Sequence, residues 1–442
     1  MKNILVIGAG RSASSLIKYL LDNSTKENWK VTVGDVSLDL VKQKTGNHAN
    51  ARALVLDINN QEQREEEIQH ADLVISMLPA SMHINVAKDC VRFKKHLVTA
   101  SYVSKEMGEL NEEAIKAGVV LINENGLDPG IDHASAMKVI DEIHQQGGEL
   151  ISFKSYCGGL VAPECNDNPW GYKFSWNPRN VILAGQGTAQ YIENGEYKYI
   201  PYNRLYTQTN IVEVKGYGRF DAYANRDSLS YRKSYSIENI PTMLRGTLRM
   251  EGYCKAWNVF VKLGITDDTY KIEASNTLTY RNLIEAFLPD SNKTIKEKLT
   301  AFMGNDIDAD TLSKIEWTGI LSDEKITLKD AAPAQILQEL LERKWKLLEH
   351  DKDMIVMQHQ FQYKTRSGDI KNITSSLIVK GEDQTYTAMA KTVGLPLAIV
   401  TKLIVQNKIT SRGVVIPTIK EIYEPLLKEL ETLGVKFEEE HH

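Results

Sequence analysis

The feature that most constrains this chain is the stretch at residues 3–13, NILVIGAGRSA. A short, unbroken apolar run is the pattern of a strand buried on both faces of a parallel sheet. Gly8-Ala9-Gly10-Arg11-Ser12-Ala13 follows at once and fits G-x-G-x-x-G/A, and SSLIKYLL after it has apolar residues at helical spacing. Glycine there permits a tight turn and lets backbone N–H groups approach a pyrophosphate at the start of a helix. The strand pattern recurs in KVTVGDV, ARALVLDI, ADLVISMLP, KHLVTASYV and GVVLINEN, with helix-compatible segments in most of the gaps.

Strands separated by helices imply right-handed crossovers and a parallel sheet. The expected fold class is therefore α/β, opening with a Rossmann dinucleotide-binding domain. In such sheets the ligand lies beyond the carboxyl ends of the strands. Those ends carry Gly10, Asp35, Asp57, Leu78 to Ala80, Ala100 to Tyr102, and then the loop NENGLDPGIDH at residues 123–133. Asp35 ends the second strand, where a carboxylate would accept hydrogen bonds from the adenosine ribose and repel a 2'-phosphate, so NAD is expected over NADP. Asp57 is open to two readings, a contact on the adenine side of the cofactor or a plain turn residue.

In the loop, Pro129 fixes its own backbone angle and Gly130 lets the chain reverse, which turns Asp128 toward the nicotinamide end of the site. Asp132 falls at the start of the next helix, where an acidic group stabilises the N-terminus. His133 beside it suits capping or packing as well as proton transfer. Asp128 is the carboxylate expected to hold a cationic nitrogen of the substrate.

The 442 residues are 42% hydrophobic and 25% charged, enough for two or three cores. From about residue 131 the chain turns to long aromatic-rich segments, which read as a mixed-sheet α/β substrate domain at 131–264 plus 351–389. Residues 265–350 read as a helical insert, DMIVMQHQFQYK and IKNITSSLIVKG as a hairpin around TRSGD, and 390–440 as helical chain returning to the first domain, at 1–130. With a formal net charge of -5 and no basic block, nucleic acid is not an expected partner. A strand beginning almost at residue 1 argues against an export signal. GLPLAIVTKLIV is interrupted by Pro396 and Lys402, so no membrane span is expected. Cys90, Cys157, Cys165 and Cys254 lack C-x-x-C spacing, which argues against a metal site and a disulfide framework and suits a cytoplasmic setting. His441 and His442 read as the remnant of a purification tag.

In the order LVTASYVS, NENGLDPGIDH, SYCGGLVAPECNDNPWGYKFSW, NRDS and RGTLR, the chain resembles the saccharopine dehydrogenase (L-glutamate-forming) family, also called saccharopine reductases, essentially end to end. The resemblance implies a homodimer of three-domain chains that oxidises the secondary amine of saccharopine, through an imine, to L-glutamate and 2-aminoadipate 6-semialdehyde, or runs the reverse. It implies cofactor contacts at Gly8, Ala9, Gly10, Arg11, Ser12, Ala13, Asp57, Ile58, Leu78, Ala100 and Ser101, and along the loop at Leu127, Pro129, Gly130, Ile131, Asp132, His133 and Ala134. It places saccharopine against Ser101, Tyr102, Asp128, Arg226, Thr247, Leu248 and Arg249, with Asp128 and Tyr102 the candidates for a catalytic role. Cys157 and Arg245 join this set as a small pocket-lining residue and a further carboxylate-binding cation. Fungal members carry an Arg after the second strand for the NADP 2'-phosphate, whereas Asp35 and Val36 stand in that region here. Two other readings keep the scaffold: a related amine dehydrogenase, such as a lysine 6-dehydrogenase or a carboxyspermidine-type enzyme, and a non-catalytic NAD-binding protein.

Overall fold

The computed structural model describes residues 1–442. The chain parts into two compact units, one of Met1–Leu150, Tyr363–Lys371 and Leu377–His442, the other of Ile151–Gln362 and Asn372–Ser376.

The first unit is built on β1 (Lys2–Ile7), β2 (Trp29–Asp35), β3 (Ala51–Val55), β4 (Leu73–Ser76), β5 (His96–Thr99) and β6 (Val120–Ile122). They lie in the order β3-β2-β1-β4-β5-β6, and the late strand Gly413–Val415 pairs with β6 as a seventh. Every pair is parallel. Ile4, Leu5, Val6 and Ile7 of β1 and all four residues of β4 are buried, as the unbroken apolar runs require of strands covered on both faces. The helices α1 (Ser14–Asn23), α2 (Leu38–Thr45), α3 (Gln61–His70), α4 (His83–Arg92), α5 (Lys105–Glu109), α6 (Asn111–Ala117) and α7 (Ile131–Gln145) fill the connections. The order reverses between β1 and β4, so the crevice for a ligand opens at their carboxyl ends.

The helix Ala388–Val405 lies in the segment expected to be helical and continues through Pro396 and Lys402, the two residues expected to break its apolar run. It is long and apolar enough to cross a membrane, yet 72% of it is buried inside the molecule. It packs along α1 at Gly394, where a Cβ would come within 2.7 Å of the Leu16 backbone nitrogen.

The second unit is built on β7 (Glu149–Val161), β8 (Thr188–Glu193), β9 (Glu196–Pro201), β10 (Asn210–Val214), β11 (Gly218–Ala224), β12 (Thr242–Met250), β13 (Asp353–Lys364) and β14 (Ile370–Lys380), of which β7, β13 and β14 each run past its bounds. The order is β10-β11-β12-β7-β13-β14, with the β8-β9 hairpin attached at β12. The sheet is mixed, since β12 runs parallel to β7 and antiparallel to β11. The expected hairpin turns at residues 365–369, where the Thr365 N–H donates to the Asp369 carbonyl at 2.9 Å.

Residues 265–350 hold helices and no strand, as expected, and they lie inside the second unit. The physical reason is visible at Trp345, which follows the helix Pro333–Lys344 and is buried against Trp170, Tyr253 and Trp257. One aromatic core thus joins the helical segment to Trp170 and the helix Tyr253–Leu263.

Candidate active site

The glycine turn has the form its sequence implies. Gly8 has a φ of +105°, and a Cβ on it would lie 2.9 Å from the Met77 carbonyl oxygen. Gly10 is exposed, with nothing within 4 Å of where its Cβ would be. The turn therefore leaves backbone open to an approaching phosphate just before the short helix Arg11–Ala13 that leads into α1. Arg11 is exposed, Ser12 is half-buried, and Ala9 and Ala13 are buried.

Asp35 makes backbone contacts that its spacing did not suggest. One carboxylate oxygen accepts the Ala9 N–H at 2.8 Å and the other accepts the Ser37 N–H at 3.0 Å. Its acceptors brace the glycine turn, so a role in ribose recognition does not follow from its position. A residue that sequence reasoning missed lies close by: the Lys44 ammonium donates to the Gly10 carbonyl and to the Ser14 hydroxyl, both at 2.7 Å. Burial pushes this ammonium down to about 8, opposed by the Asp35 charge. Asp57 is exposed and accepts from the Asn59 N–H at 2.9 Å, the turn alternative of its two readings. Ile58 is buried, its carbonyl accepting from Arg64 at 2.8 Å, and Leu78 is half-buried.

The loop at 123–133 is folded onto itself. The Gly126 N–H donates to the Pro129 carbonyl and the Ile131 N–H to the Gly126 carbonyl, both at 2.9 Å. Gly130, at φ +148°, is required by contact, because a Cβ there would sit 2.1 Å from the Gly126 oxygen. The Asp128-Pro129 peptide is cis. Asn125 donates to the Pro396 carbonyl at 2.9 Å, which ties the loop to the late helix within the first unit. Between Val119 and Met137, Asp128 is the only residue not buried. Asp128 is thus the residue of this loop that a ligand could reach, while Leu127, Pro129, Ile131 and Ala134 are buried.

Asp132 lies in the first turn of α7, where its Oδ1 accepts the Gly130 N–H at 2.6 Å. His133 is buried, with Nε2 2.9 Å from the Glu124 carboxylate. Glu124, which sequence reasoning did not single out, also accepts the Val103 N–H at 3.0 Å. Of the two readings of His133, the geometry favours packing, and its side chain supports the loop from behind.

At the end of β5, Ala100 and Ser101 are half-buried and Tyr102 is exposed. The Ser101 hydroxyl lies 2.6 Å from Nε2 of His83, a buried residue that sequence reasoning missed. His83 Nδ1 lies 2.8 Å from the Ser76 hydroxyl at the end of β4. Burial holds the imidazole down to about 4, against a hydrogen bond with the Leu78 backbone that favours its charge.

In the second unit, Arg245, Thr247 and Arg249 share one face of β12, because strand side chains alternate. Leu248 faces the other way, toward Gly158 of β7, so its side chain stands apart from theirs. Cys157, buried on β7, and Tyr223 on β11 are the register partners of Thr247. The Thr247 hydroxyl donates to Asn225 at 2.6 Å. Arg245 is buried over the Tyr231 ring at 4.1 Å. Arg226 is exposed, and its Nε donates to the Gln186 carbonyl at 3.1 Å. Lys173 is a buried ion pair with Asp167 and Asp351, at 2.8 and 2.7 Å.

Arg249 is the most telling of these residues. Its guanidinium is buried, lies 5.2, 5.9 and 5.4 Å from the Tyr172, Tyr223 and Tyr253 rings, and donates only to the Leu248 carbonyl at 3.1 Å. Its Nε has no hydrogen-bond partner and no carboxylate pairs with it. A buried cation in that condition is set up to receive an anion.

The family model described as Saccharopine dehydrogenase NADP binding domain matches residues 4–122, and that described as Saccharopine dehydrogenase C-terminal domain matches residues 126–435. Saccharopine dehydrogenase [NADP(+), L-glutamate-forming] of Pyricularia oryzae is 35% identical over 99% of this chain and 98% of its own length. The protein of that name from Saccharomyces cerevisiae is 36% identical over 97% and 96%. The mitochondrial alpha-aminoadipic semialdehyde synthase of Mus musculus is 36% identical over 99% of this chain and 47% of its own. The solved structure of apo, histidine-tagged saccharopine dehydrogenase (L-Glu forming) from Saccharomyces cerevisiae matches with a TM-score of 0.90 and 34% identity over 100% of both chains. The expectation of NAD over NADP is overturned here, since the matching domain model and the named fungal relatives are of the NADP kind. The physical reason lies with Asp35, whose carboxylate is engaged by backbone N–H groups and lies near the Lys44 charge. With both family models matched in order along its length, this chain belongs to the saccharopine dehydrogenase family.

Proposed function

We propose that the protein oxidises saccharopine with NADP+ to L-glutamate and 2-aminoadipate 6-semialdehyde, or runs the reverse reaction. The observation that carries the reading is Arg249, a buried guanidinium without a carboxylate partner, on the same strand face as Arg245 and Thr247. Saccharopine brings three carboxylates to its site, and a planar guanidinium is the group best suited to hold one.

The glycine turn fits a dinucleotide, because its exposed Gly10 leaves space where any side chain would stand. Backbone of residues 8–13 would hold the phosphates, with Lys44 adding charge. When bound, the cofactor supplies a hydride acceptor for the carbon beside the substrate amine. Asp128 would face the nitrogen and stabilise the positive charge that develops as the imine forms. Water then adds to the imine, and the carbinolamine collapses to the two products. Ser101 and Tyr102 would offer hydroxyl groups to the substrate, and Arg249 and Arg245 would fix its carboxylates. A homodimer in a reducing, cytoplasmic setting completes the reading; the four free cysteines suit that compartment.

The test is a substrate panel followed at the reduced-nicotinamide absorbance, with saccharopine, lysine and carboxyspermidine each offered with NADP+ and NAD+. Saccharopine with NADP+ is expected to give the highest kcat/KM and to release glutamate. Preference for a mono- or dicarboxylate amine would replace the substrate assignment.

A further inference from the structure

We infer that His83 is a positioning residue, which orients the Ser101 hydroxyl at the end of β5 and ties it to the end of β4. The inference rests on the dehydrogenase reading above and extends it to a residue that touches no ligand.

The geometry is that of a bridge. His83 opens α4, with its ring buried between two strand ends. Nδ1 meets the Ser76 hydroxyl at 2.8 Å and lies 3.5 Å from that of Thr99, while Nε2 meets the Ser101 hydroxyl at 2.6 Å. Ser101 is also tied through its backbone, its carbonyl accepting the Glu124 N–H at 2.9 Å and its own N–H reaching the Thr99 hydroxyl at 3.3 Å. Backbone and side chain are thus both fixed at a residue that remains half-buried and open to a ligand.

A neutral imidazole carries one donor and one acceptor nitrogen. Whichever tautomer is present, one hydrogen-bonding position of the Ser101 oxygen is taken by Nε2, and the remaining ones are turned outward in a fixed direction. A serine without this partner would sample three rotamers with comparable ease. The bridge also reaches Leu78, through its backbone, so one side chain organises two of the strand ends that line the ligand crevice.

Two amide substitutions separate positioning from support. The amide nitrogen of Asn sits near the position of Nδ1 and that of Gln near Nε2, so His83→Asn keeps a partner for Ser76 and His83→Gln keeps one for Ser101. With saccharopine and NADP+, His83→Asn is expected to lose about tenfold in kcat/KM, as one hydrogen bond of the bound state is lost, and His83→Gln to stay within about threefold of wild type. In a Ser101→Ala background, His83→Asn should cost nothing further, because the two residues act through one contact. Thermal melting is followed in parallel and should move little in either single variant.

Several outcomes overturn the inference: wild-type kinetics for His83→Asn, equal losses for the two amides, losses that track a collapse in melting temperature, or additive losses in the Ser101→Ala background. If wild-type protein itself fails to turn over saccharopine, the functional reading is what fails, and NADP+ affinity in the His83 and Ser101 variants then decides the positioning role. A coupled shift in NADP+ Kd upholds it, and independence overturns it.

Discussion

Replacing Arg249 by Met should separate binding from stability. The guanidinium is buried among three tyrosine rings at 5.2 to 5.9 Å and has no carboxylate partner. Desolvating a cation costs several kcal/mol, and each desolvated ring contact returns up to about 2 kcal/mol, so the two nearly cancel. Met fills much of the same volume with no charge to desolvate. The variant should therefore melt within about 5 °C of wild type, on the usual conversion of roughly 2–4 °C per kcal/mol for units of this size. Saccharopine, in contrast, loses a charge-assisted hydrogen bond worth about 1.5–3 kcal/mol, which corresponds to a roughly 10- to 150-fold rise in KM. Arg249→Lys should fall between the two, because an ammonium lacks the planar fork. Steady-state kinetics and calorimetric melting on the same preparations provide the assay. A large drop in melting temperature with unchanged KM would refute the reasoning and make Arg249 a structural residue.

Other perturbations give equally definite expectations. Asp128→Asn should keep the wild-type melting temperature and lose at least about tenfold in kcat/KM, since it alone of its loop is not buried. Asp132→Asn should mainly lower the melting temperature, because its carboxylate holds the Gly130 N–H and lies beside His133; comparing the two variants in both assays checks the division of roles. Gly130→Ala should destabilise by about 3 kcal/mol or more in urea unfolding, because its Cβ has no room beside Gly126. Lys44 gives a pH dependence. Its folded value of about 8 lies below the ordinary one, so its neutral form favours folding and that contribution is lost as pH falls through 8. Phosphate binding has the opposite sign, present below about pH 8 and lost above it, and a fluorescence titration of NADP+ between about pH 7 and 9 should show this in wild type and not in Lys44→Arg.

The parallel sheet was legible because its strands are covered on both faces, and that leaves unbroken apolar runs such as LVIS of β4. The glycine turn was legible for a similar reason, since only Gly tolerates φ +105° with the Met77 carbonyl at contact distance. Asp35 shows where such reading stops. Its place at the strand end was correct, but its partners Ala9 and Ser37 are set by how the turn closes, which spacing does not encode. His83 is a harder case, for its partners at residues 76 and 101 come together only when β4 and β5 pair. The two readings of His133 could not be parted without Glu124, nine residues back, folded against it. The late segment was legible as helical from its apolar spacing; proline in a helix interior ordinarily breaks it, and here packing against α1 and a bond from Asn125 to the Pro396 carbonyl support the segment.

The central claim is that this chain oxidises saccharopine with NADP+, and the most direct measurement is absorbance at the reduced-nicotinamide band with saccharopine and each cofactor, paired with glutamate detection. The account predicts NADP+-dependent reduction with one glutamate released per cofactor reduced, and a lower kcat/KM with NAD+. Absence of reduction with saccharopine under either cofactor, in protein shown to bind NADP+, would contradict it.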